Sequence, residues 1–315
     1  MRVVFLGTDR FGVPTLDRLI TSSGHELVGV VTGPDKPSGR GRKLTPTPVR
    51  QHVLDHTPDV PVLTPRKLKD PAFHEQFRAL EPDAAVVVAF RILPPQIFDA
   101  PKHGTLNVHP SLLPKYRGPA PLNWALINGD NETGVSVIRI TQKVDAGGVL
   151  LQERYPLDPN ETAGDLAIRL APVGGEMILR ALQGLELGEL SPLPQDESLV
   201  SKAPKLEKED GRLDWTRPAI ELHNRARGVT PWPGAFTTLH GKQLKLFATR
   251  PLDGGSGDPG TILEADGRAG WLVIGCGSGA LQIREVQLQG KKRMSVSDFL
   301  RGYQVTIGER VGDDQ

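Results

Sequence analysis

Three uninterrupted apolar runs constrain this chain more than any other feature: RVVFL at 2–6, LVGVVT at 27–32 and AAVVVA at 84–89. A strand with one face in water alternates polar and apolar residues, so runs without alternation belong to strands buried on both faces. The segments between them change period. Phe11, Leu16, Leu19 and Ile20 recur at helical spacing after the first run, and DPAFHEQFRAL at 70–80 reads as a helix before the third. Strands and helices in alternation predict a parallel sheet covered on both sides. TLNVH at 105–109 and GVSVIRI at 134–140 add strands. AGDLAIRLAPVGGEMILRALQGL at 163–185 reads as one long helix, or as two divided near Pro172 and its glycine pair. The expectation for residues 1–189 is a doubly wound, Rossmann-like α/β domain.

The pattern then changes. Residues 188–210 are polar and proline-bearing with few apolar anchors, which predicts a linker over 190–208. Beyond it AFTTL, KQLKLFA, WLVIGC and ALQIREVQLQ are short runs with HG, DGG and CGSG between them. Short strands at that spacing predict a small β domain over 209–315, an OB-like barrel. Helices are expected at 217–227 and at 295–302, the second capped by Ser295 or Ser297.

Bulk properties remove several classes. No apolar run is long enough to span a bilayer. In MRVVFLGTDR the apolar stretch stops at Gly7 without a small-residue cleavage site, so a signal peptide is not expected and a soluble cytoplasmic protein is. Cys276 is the sole cysteine, which excludes an internal disulfide and a cysteine-rich metal site; no metal site is legible. A net charge of +1 excludes a polycation that coats nucleic acid indiscriminately. Basic residues still cluster locally, at Lys36, Arg40, Arg42 and Lys43 and at Lys291, Lys292 and Arg293. On charge alone these read as solvated loops. GTDRFG at 7–12 lacks the G-x-G-x-x-G spacing of a dinucleotide site and reads as a tight strand-to-helix turn.

The chemistry concentrates in NVHPSLLPKYRGPAPLNWALING, residues 107–129. Residues two apart in a strand share a face, so Asn107 and His109 look one way and Val108 the other, into the protein. Pro110 and Pro114 stop the ladder, leaving both polar groups at a strand end, where open α/β sheets bind ligands. Asp145 follows the next strand in TQKVDAGGVL and can approach the pair. A carboxamide N–H stabilises a developing oxyanion, an imidazole can do the same or move protons, and a carboxylate accepts a proton. Together they suit attack by an amine on a carbonyl, with no Ser or Cys nucleophile. Taken singly, each also serves as an ordinary strand-end or turn residue.

NVHPSLLPKYRGPAP, ETGVSVIRITQKVDAGGVL and VVFLGT together resemble the folate-dependent formyltransferases. SKAPKLEKEDGRLDW at 201–215 and RGVTPWPGAFTTLHGKQLKL at 227–246 look like the linker and C-terminal domain of those members that act on methionyl-tRNA. The resemblance implies transfer of the formyl group of 10-formyltetrahydrofolate to the α-amine of initiator methionyl-tRNA. It implies Asn107, His109 and Asp145 as the catalytic triad, with Asn107 and His109 holding the oxyanion and Asp145 removing the amine proton. Ser111, Leu112, Leu113 and Pro114 match the family's folate loop, and Phe90, Leu93 and Pro94 are expected beside the pteridine. Lys36, Arg40, Arg42 and Lys43 occupy the loop that meets the acceptor stem, with Arg42 as principal contact; Lys242, Lys245, Lys291, Lys292 and Arg293 are expected to guide the inner side of the tRNA.

The chain departs from the family at Phe90-Arg91, where Tyr-Gly is usual, at Asp145-Ala146-Gly147-Gly148, where Asp-Thr-Gly-Asp or Asp-Thr-Gly-Pro is usual and which is expected to hold the carboxylate less tightly, and at GTDRFG, where GTPxFA is usual. None removes a catalytic group. Nothing in the motifs requires a dimer, and a monomer without membrane contact is expected. The nearest rival is formylation of a nucleotide-linked amino sugar, against which stand the basic 36–44 loop and PWPGAF. Glycinamide ribonucleotide formylation, a non-catalytic tRNA-binding module and a dinucleotide oxidoreductase fit less well.

Overall fold

The apolar runs lie side by side. A computed structural model of the chain describes residues 1–38, 43–254 and 257–312. Its first sheet is built from β1 (Arg2–Gly7), β2 (Glu26–Val31), β5 (Val62–Leu63), β6 (Ala84–Val88), β7 (Thr105–His109), β8 (Glu132–Arg139) and β9 (Val149–Pro156). The short strands β3 (Lys36–Ser38) and β4 (Lys43–Thr45) pair separately as an antiparallel ribbon. The seven strands run in the order β5-β2-β1-β6-β7-β8-β9. From β5 to β7 neighbours are parallel, and β8 is antiparallel to β7. The order reverses between β1 and β6, the position at which such sheets open a crevice beyond their carboxyl ends. Val3, Val4, Phe5 and Leu6 are wholly buried, as are Val86 and Val88, so both faces of these strands are covered.

Among the described residues, the α-helices within 1–189 are α1 (Val13–Ile20), α2 (Pro48–His56), α3 (Pro71–Ala79), α4 (Pro95–Phe98), α5 (Pro121–Ile127), which falls almost wholly in the second unit by contacts, and α6 (Ala163–Glu186). Asp70 starts α3 by accepting from Ala72 N, and Thr47 starts α2 by accepting from Arg50 N, each followed by proline in the first turn. The sequence reading lacked α2, whose buried apolar residues are only Val49 and Val53, too few for a clear period. It also lacked α4, α5 and β9.

Of the two readings of 163–185, the single helix is the one observed, running through Pro172. The glycine pair there serves packing. A Cβ on Gly174 would lie 2.6 Å from Val108 Cγ1, and one on Gly175 would lie 3.1 Å from Pro14 O. Without side chains the helix rests directly on β7 and α1.

The second sheet contains β10 (Phe236–Leu239), β11 (Lys242–Leu252), β12 (Ile262–Asp266), β13 (Trp271–Gly275), β14 (Ala280–Leu288) and β15 (Met294–Ser295). Five run antiparallel in the order β10-β11-β14-β13-β12, with β15 on β14. The HG turn joins β10 to β11 with His240 at φ 48° and Gly241 at φ 69°, the pair of left-handed residues a two-residue hairpin requires. Gly308 N and Val311 N donate to Ile262 O and Gly260 O, while Gly312 N donates to Thr238 O. One terminal segment thus meets both outer strands, as closure of an OB-like barrel demands. Helices α7 (Ala219–Gly228) and α8 (Val296–Gly302) accompany this sheet, and Ser295 is the cap of α8.

By contacts the chain forms two units, Met1–Pro121 with Thr133–Tyr155 and Ala167–Ala203, and Leu122–Glu132 with Pro156–Leu166 and Pro204–Gln315. No helix among the described residues is long and apolar enough to cross a membrane.

Candidate active site

Strand alternation in β7 places the polar pair as expected. Val108 is buried against Gly174, while Asn107 is half-buried and His109 is 4% exposed. The Asn107 carboxamide makes no hydrogen bond to another described residue, so its N–H groups are available to a ligand. His109 Nε2 lies 3.0 Å from Tyr116 O. A carbonyl only accepts, so this nitrogen carries the hydrogen, and the opposite ring nitrogen is left for chemistry. That atom, Nδ1, faces Asp145 Oδ2 at 3.8 Å.

Asp145 is positioned by two loops. Its carboxylate accepts from Gly118 N at 2.9 Å, and its backbone sits in the left-handed region at φ 52°. Gly147 follows where a Cβ would come within 1.7 Å of Arg139 O, so the close approach of this loop to the end of β8 requires glycine. The Ala-Gly-Gly departure therefore leaves the carboxylate in a constrained loop.

Leu93 and Pro94, placed beside the folate ring by resemblance, line a cavity of about 670 Å³ with Leu68, Ile92 and Phe98. Lys69, His74, Arg91 and Gln142 supply its polar lining. Gln142 comes from the same loop as Asp145, so the cavity and the polar cluster draw on one loop. Phe90 packs against the core instead, beneath the Arg91 guanidinium at 5.1 Å from its ring. Arg91 donates to the carbonyls of Pro65 at 2.8 Å and Arg66 at 3.1 Å, so its guanidinium ties the two loops together.

The Ser111–Pro114 turn is not among the residues lining that cavity. Ser111 Oγ donates to Lys115 O at 2.7 Å, and Ser111 O accepts from Ser136 Oγ at 2.6 Å. Leu113 N donates to Ser136 Oγ, Leu113 O accepts from Gln152 Nε2, and Leu112 packs over Gly134. Pro114 O receives Ser201 N. These contacts brace the turn that carries Tyr116 and Gly118 to the triad.

The basic residues divide. Lys36 is exposed on β3 and Lys43 opens β4; Arg40 and Arg42 lie outside the described residues. Lys242, Lys291 and Lys292 are exposed. Lys245 Nζ is held by Pro233 O at 2.9 Å, and Arg293 pairs with Glu285 and lies 4.2 Å over the Phe247 ring. Both of these cations are engaged locally.

Sequence reasoning missed Arg117, Gln195 and Glu197. Arg117, 8% exposed, donates to Gln195 Oε1 at 2.8 Å and 3.0 Å and to Glu197 Oε1 at 2.8 Å. Lys143 Nζ meets Glu197 Oε2 at 2.6 Å. Hydrogen bonds from Arg117 and then Lys143 hold the Glu197 carboxyl at about 2, below its ordinary 4.5. Composition concealed these residues, because a polar, proline-bearing stretch carries no periodicity to reveal where it docks. No group of three or more His, Cys, Asp or Glu residues that could hold a metal occurs among the described residues.

Comparisons with known proteins bear on this site. Residues 1–182 match the family "Formyl transferase" and residues 205–304 match "Formyl transferase, C-terminal domain". The methionyl-tRNA formyltransferase of Geobacter sulfurreducens is 47% identical over 314 residues, covering 99% of this chain and 97% of that protein. That of Pelobacter propionicus is 48% identical over 311 residues, covering 98% and 96%. The crystal structure of HypX from Aquifex aeolicus in complex with tetrahydrofolic acid matches with a TM-score of 0.64 at 23% identity. It covers 98% of this chain, which spans 50% of that one, and at this identity the likeness is one of fold. With both family regions matched in order and near-half identity along almost the whole length, this chain belongs to the formyl transferase family.

Proposed function

We propose that the protein transfers the formyl group of 10-formyltetrahydrofolate to the α-amine of initiator methionyl-tRNA. The observation that carries the proposal is the convergence on one strand end of Asn107, His109 and Asp145, with Asp145 Oδ2 at 3.8 Å from His109 Nδ1. No nucleophilic side chain is needed, because the substrate amine attacks. As it adds to the formyl carbon, the formyl oxygen gains negative charge, which the Asn107 carboxamide N–H stabilises together with a proton held on His109. The amine becomes cationic and must lose a proton; Asp145, fixed by Gly118 N, accepts it through a water. As the oxyanion collapses back to a carbonyl, the bond from the formyl carbon to N10 breaks, N10 takes up that proton and tetrahydrofolate leaves.

The cavity fits the formyl donor. A flat ring suits Leu93, Pro94 and Phe98, and a polyanionic tail suits Lys69 and Arg91 on the same lining. The exposed cations at Lys36, Lys242, Lys291 and Lys292, with Arg40, Arg42 and Lys43 in the 36–44 loop, supply the positive charge that a tRNA backbone requires. A cytoplasmic enzyme is the corresponding assignment, since charged tRNA is its acceptor.

The test offers 10-formyltetrahydrofolate with charged initiator tRNA beside a nucleotide-linked amino sugar. Formylation of the methionyl-tRNA is expected. Product on the sugar alone would retain the triad chemistry and overturn the assignment of both basic clusters to tRNA.

A further inference from the structure

Asp145 sits in a left-handed backbone conformation and carries its carboxylate on a loop, two conditions that leave a side chain poorly placed unless neighbours hold it. The neighbour that holds the backbone comes from far along the chain. Gln195 Nε2 donates to Asp145 O at 2.8 Å and to Gly147 O at 2.7 Å. Its Oε1 accepts from Arg117 Nε and a terminal guanidinium nitrogen at 3.0 Å and 2.8 Å. The residue after Arg117 is Gly118, whose N–H holds the Asp145 carboxylate. One carboxamide thus links the loop that carries the base to the loop that orients it, using both N–H groups and its oxygen.

The link is anchored. Arg117 N donates to Ser201 O, and Ala203 N donates to Arg117 O at 2.8 Å. A Cβ on Gly118 would come within 2.3 Å of Ala203 O, so Gly118 lies directly against this segment. Glu197 bridges Arg117 to Lys143, two residues before Asp145.

We infer that Gln195 is a positioning residue for formyl transfer: it sets the Asp145 carboxylate in the geometry that accepts the amine proton. This rests on the functional reading above. The described hydrogen bonds of the Gln195 side chain go to Asp145, Gly147 and Arg117, none of which lines the donor cavity, so its loss should slow the chemical step and leave substrate binding largely in place. Only a side chain with two N–H groups and an acceptor makes all four bonds. Leucine has the volume and none of the hydrogen bonds; glutamate retains the acceptor for Arg117 but sets a carboxylate oxygen against two carbonyls.

The test uses the full chain and compares wild type, Gln195→Leu, Gln195→Glu, Asp145→Asn and the Gln195→Glu/Asp145→Asn double variant. A misplacement of the base by about 1 Å is expected to lower kcat by roughly tenfold to 10²-fold. Both Gln195 variants should show that loss, with KM for the formyl donor and for methionyl-tRNA changed by less than about threefold. In the Asp145→Asn background the Gln195 change should have almost no further effect, because the group it positions is already disabled. Should Gln195→Leu fail to fold, Gln195→Glu alone decides the matter. Normal kcat in Gln195→Glu overturns the inference, as does a kcat loss that multiplies fully with that of Asp145→Asn. Absence of turnover in the wild type, or normal turnover in Asp145→Asn, overturns the reading beneath it instead.

Discussion

The Asp145 carboxylate and the carbonyls of Asp145 and Gly147 each have a fixed partner, whereas Lys242, Lys291 and Lys292 of the β domain are exposed to solvent. The catalytic loop is held by one carboxylate bond, two carbonyl bonds and a glycine that admits a backbone oxygen, all within three residues. The exposed lysines are held by none of these. Proton transfer and oxyanion stabilisation depend on geometry set before the substrate arrives, and errors of an ångström are costly. Attraction of a polyanion depends on charge and reach, and a mobile cation meets a phosphate as well as a rigid one. The two regions therefore should respond to different perturbations.

The largest effect belongs to the rigid region. Asn107→Ala and His109→Ala should each lower kcat by at least roughly 10²-fold, since each removes a group from the oxyanion site; single-turnover formylation reads this, and normal rates in both would dissolve the contrast. Arg42→Ala should raise KM for methionyl-tRNA by about tenfold while leaving KM for the formyl donor unchanged, as expected for a contact worth a charge-assisted hydrogen bond. Smaller still is Lys291→Ala with Lys292→Ala. Binding of tRNA should weaken by a few-fold, and the slope of log affinity against log salt should shrink by about one for each phosphate no longer neutralised. An unchanged slope removes that pair from the interface.

The smallest effect concerns stability. His223 donates from Nε2 to Pro159 O at 2.9 Å, leaving Nδ1 to accept from Thr249 Oγ1 at 2.9 Å. Burial, the leading cause, lowers its pKa below 6.5, so the folded ring stays neutral where the unfolded one takes up a proton. Its contribution is intact above the unfolded value and is lost as pH falls from there toward the folded one. The drop in Tm between about pH 7 and about pH 5 should be smaller in His223→Gln than in wild type. An equal or steeper drop would separate His223 from acid sensitivity.

Legibility in the sequence followed periodicity. β1, β2 and β6 emerge because two-sided burial writes them as continuous apolar runs, and in β7 the strand period alone sends Asn107 and His109 to one side with Val108 on the other. The expectation that Asp145 approaches His109 rested on its place after a strand end, and the two meet at 3.8 Å. β9 is harder to see because VLLQERYP sets three apolar residues before Gln152, Glu153 and Arg154, so neither a continuous apolar run nor an alternation marks it. Gln195 was invisible for another reason. The partners of its N–H groups are backbone carbonyls, which every residue has, so no pairing of residue types announces its contact with the Asp145 loop. Lys245 and Arg293 show the converse: as sequence they read as free cations, but each has a local partner.

The chain's order of residues by itself determined the buried strands, the change of period that separates an α/β part from a β part, and the identity of three groups able to carry acyl transfer to an amine. These depend on local patterning, which a period of two or of 3.6 records directly. Tertiary structure alone decided which ring nitrogen of His109 faces Asp145, which glycines admit a neighbouring backbone or side chain, and that residues 195–203 lie against the Tyr116–Ala120 and Asp145 loops. Those are distances between segments remote in the chain, and they exist only once the sheet has brought the loops together.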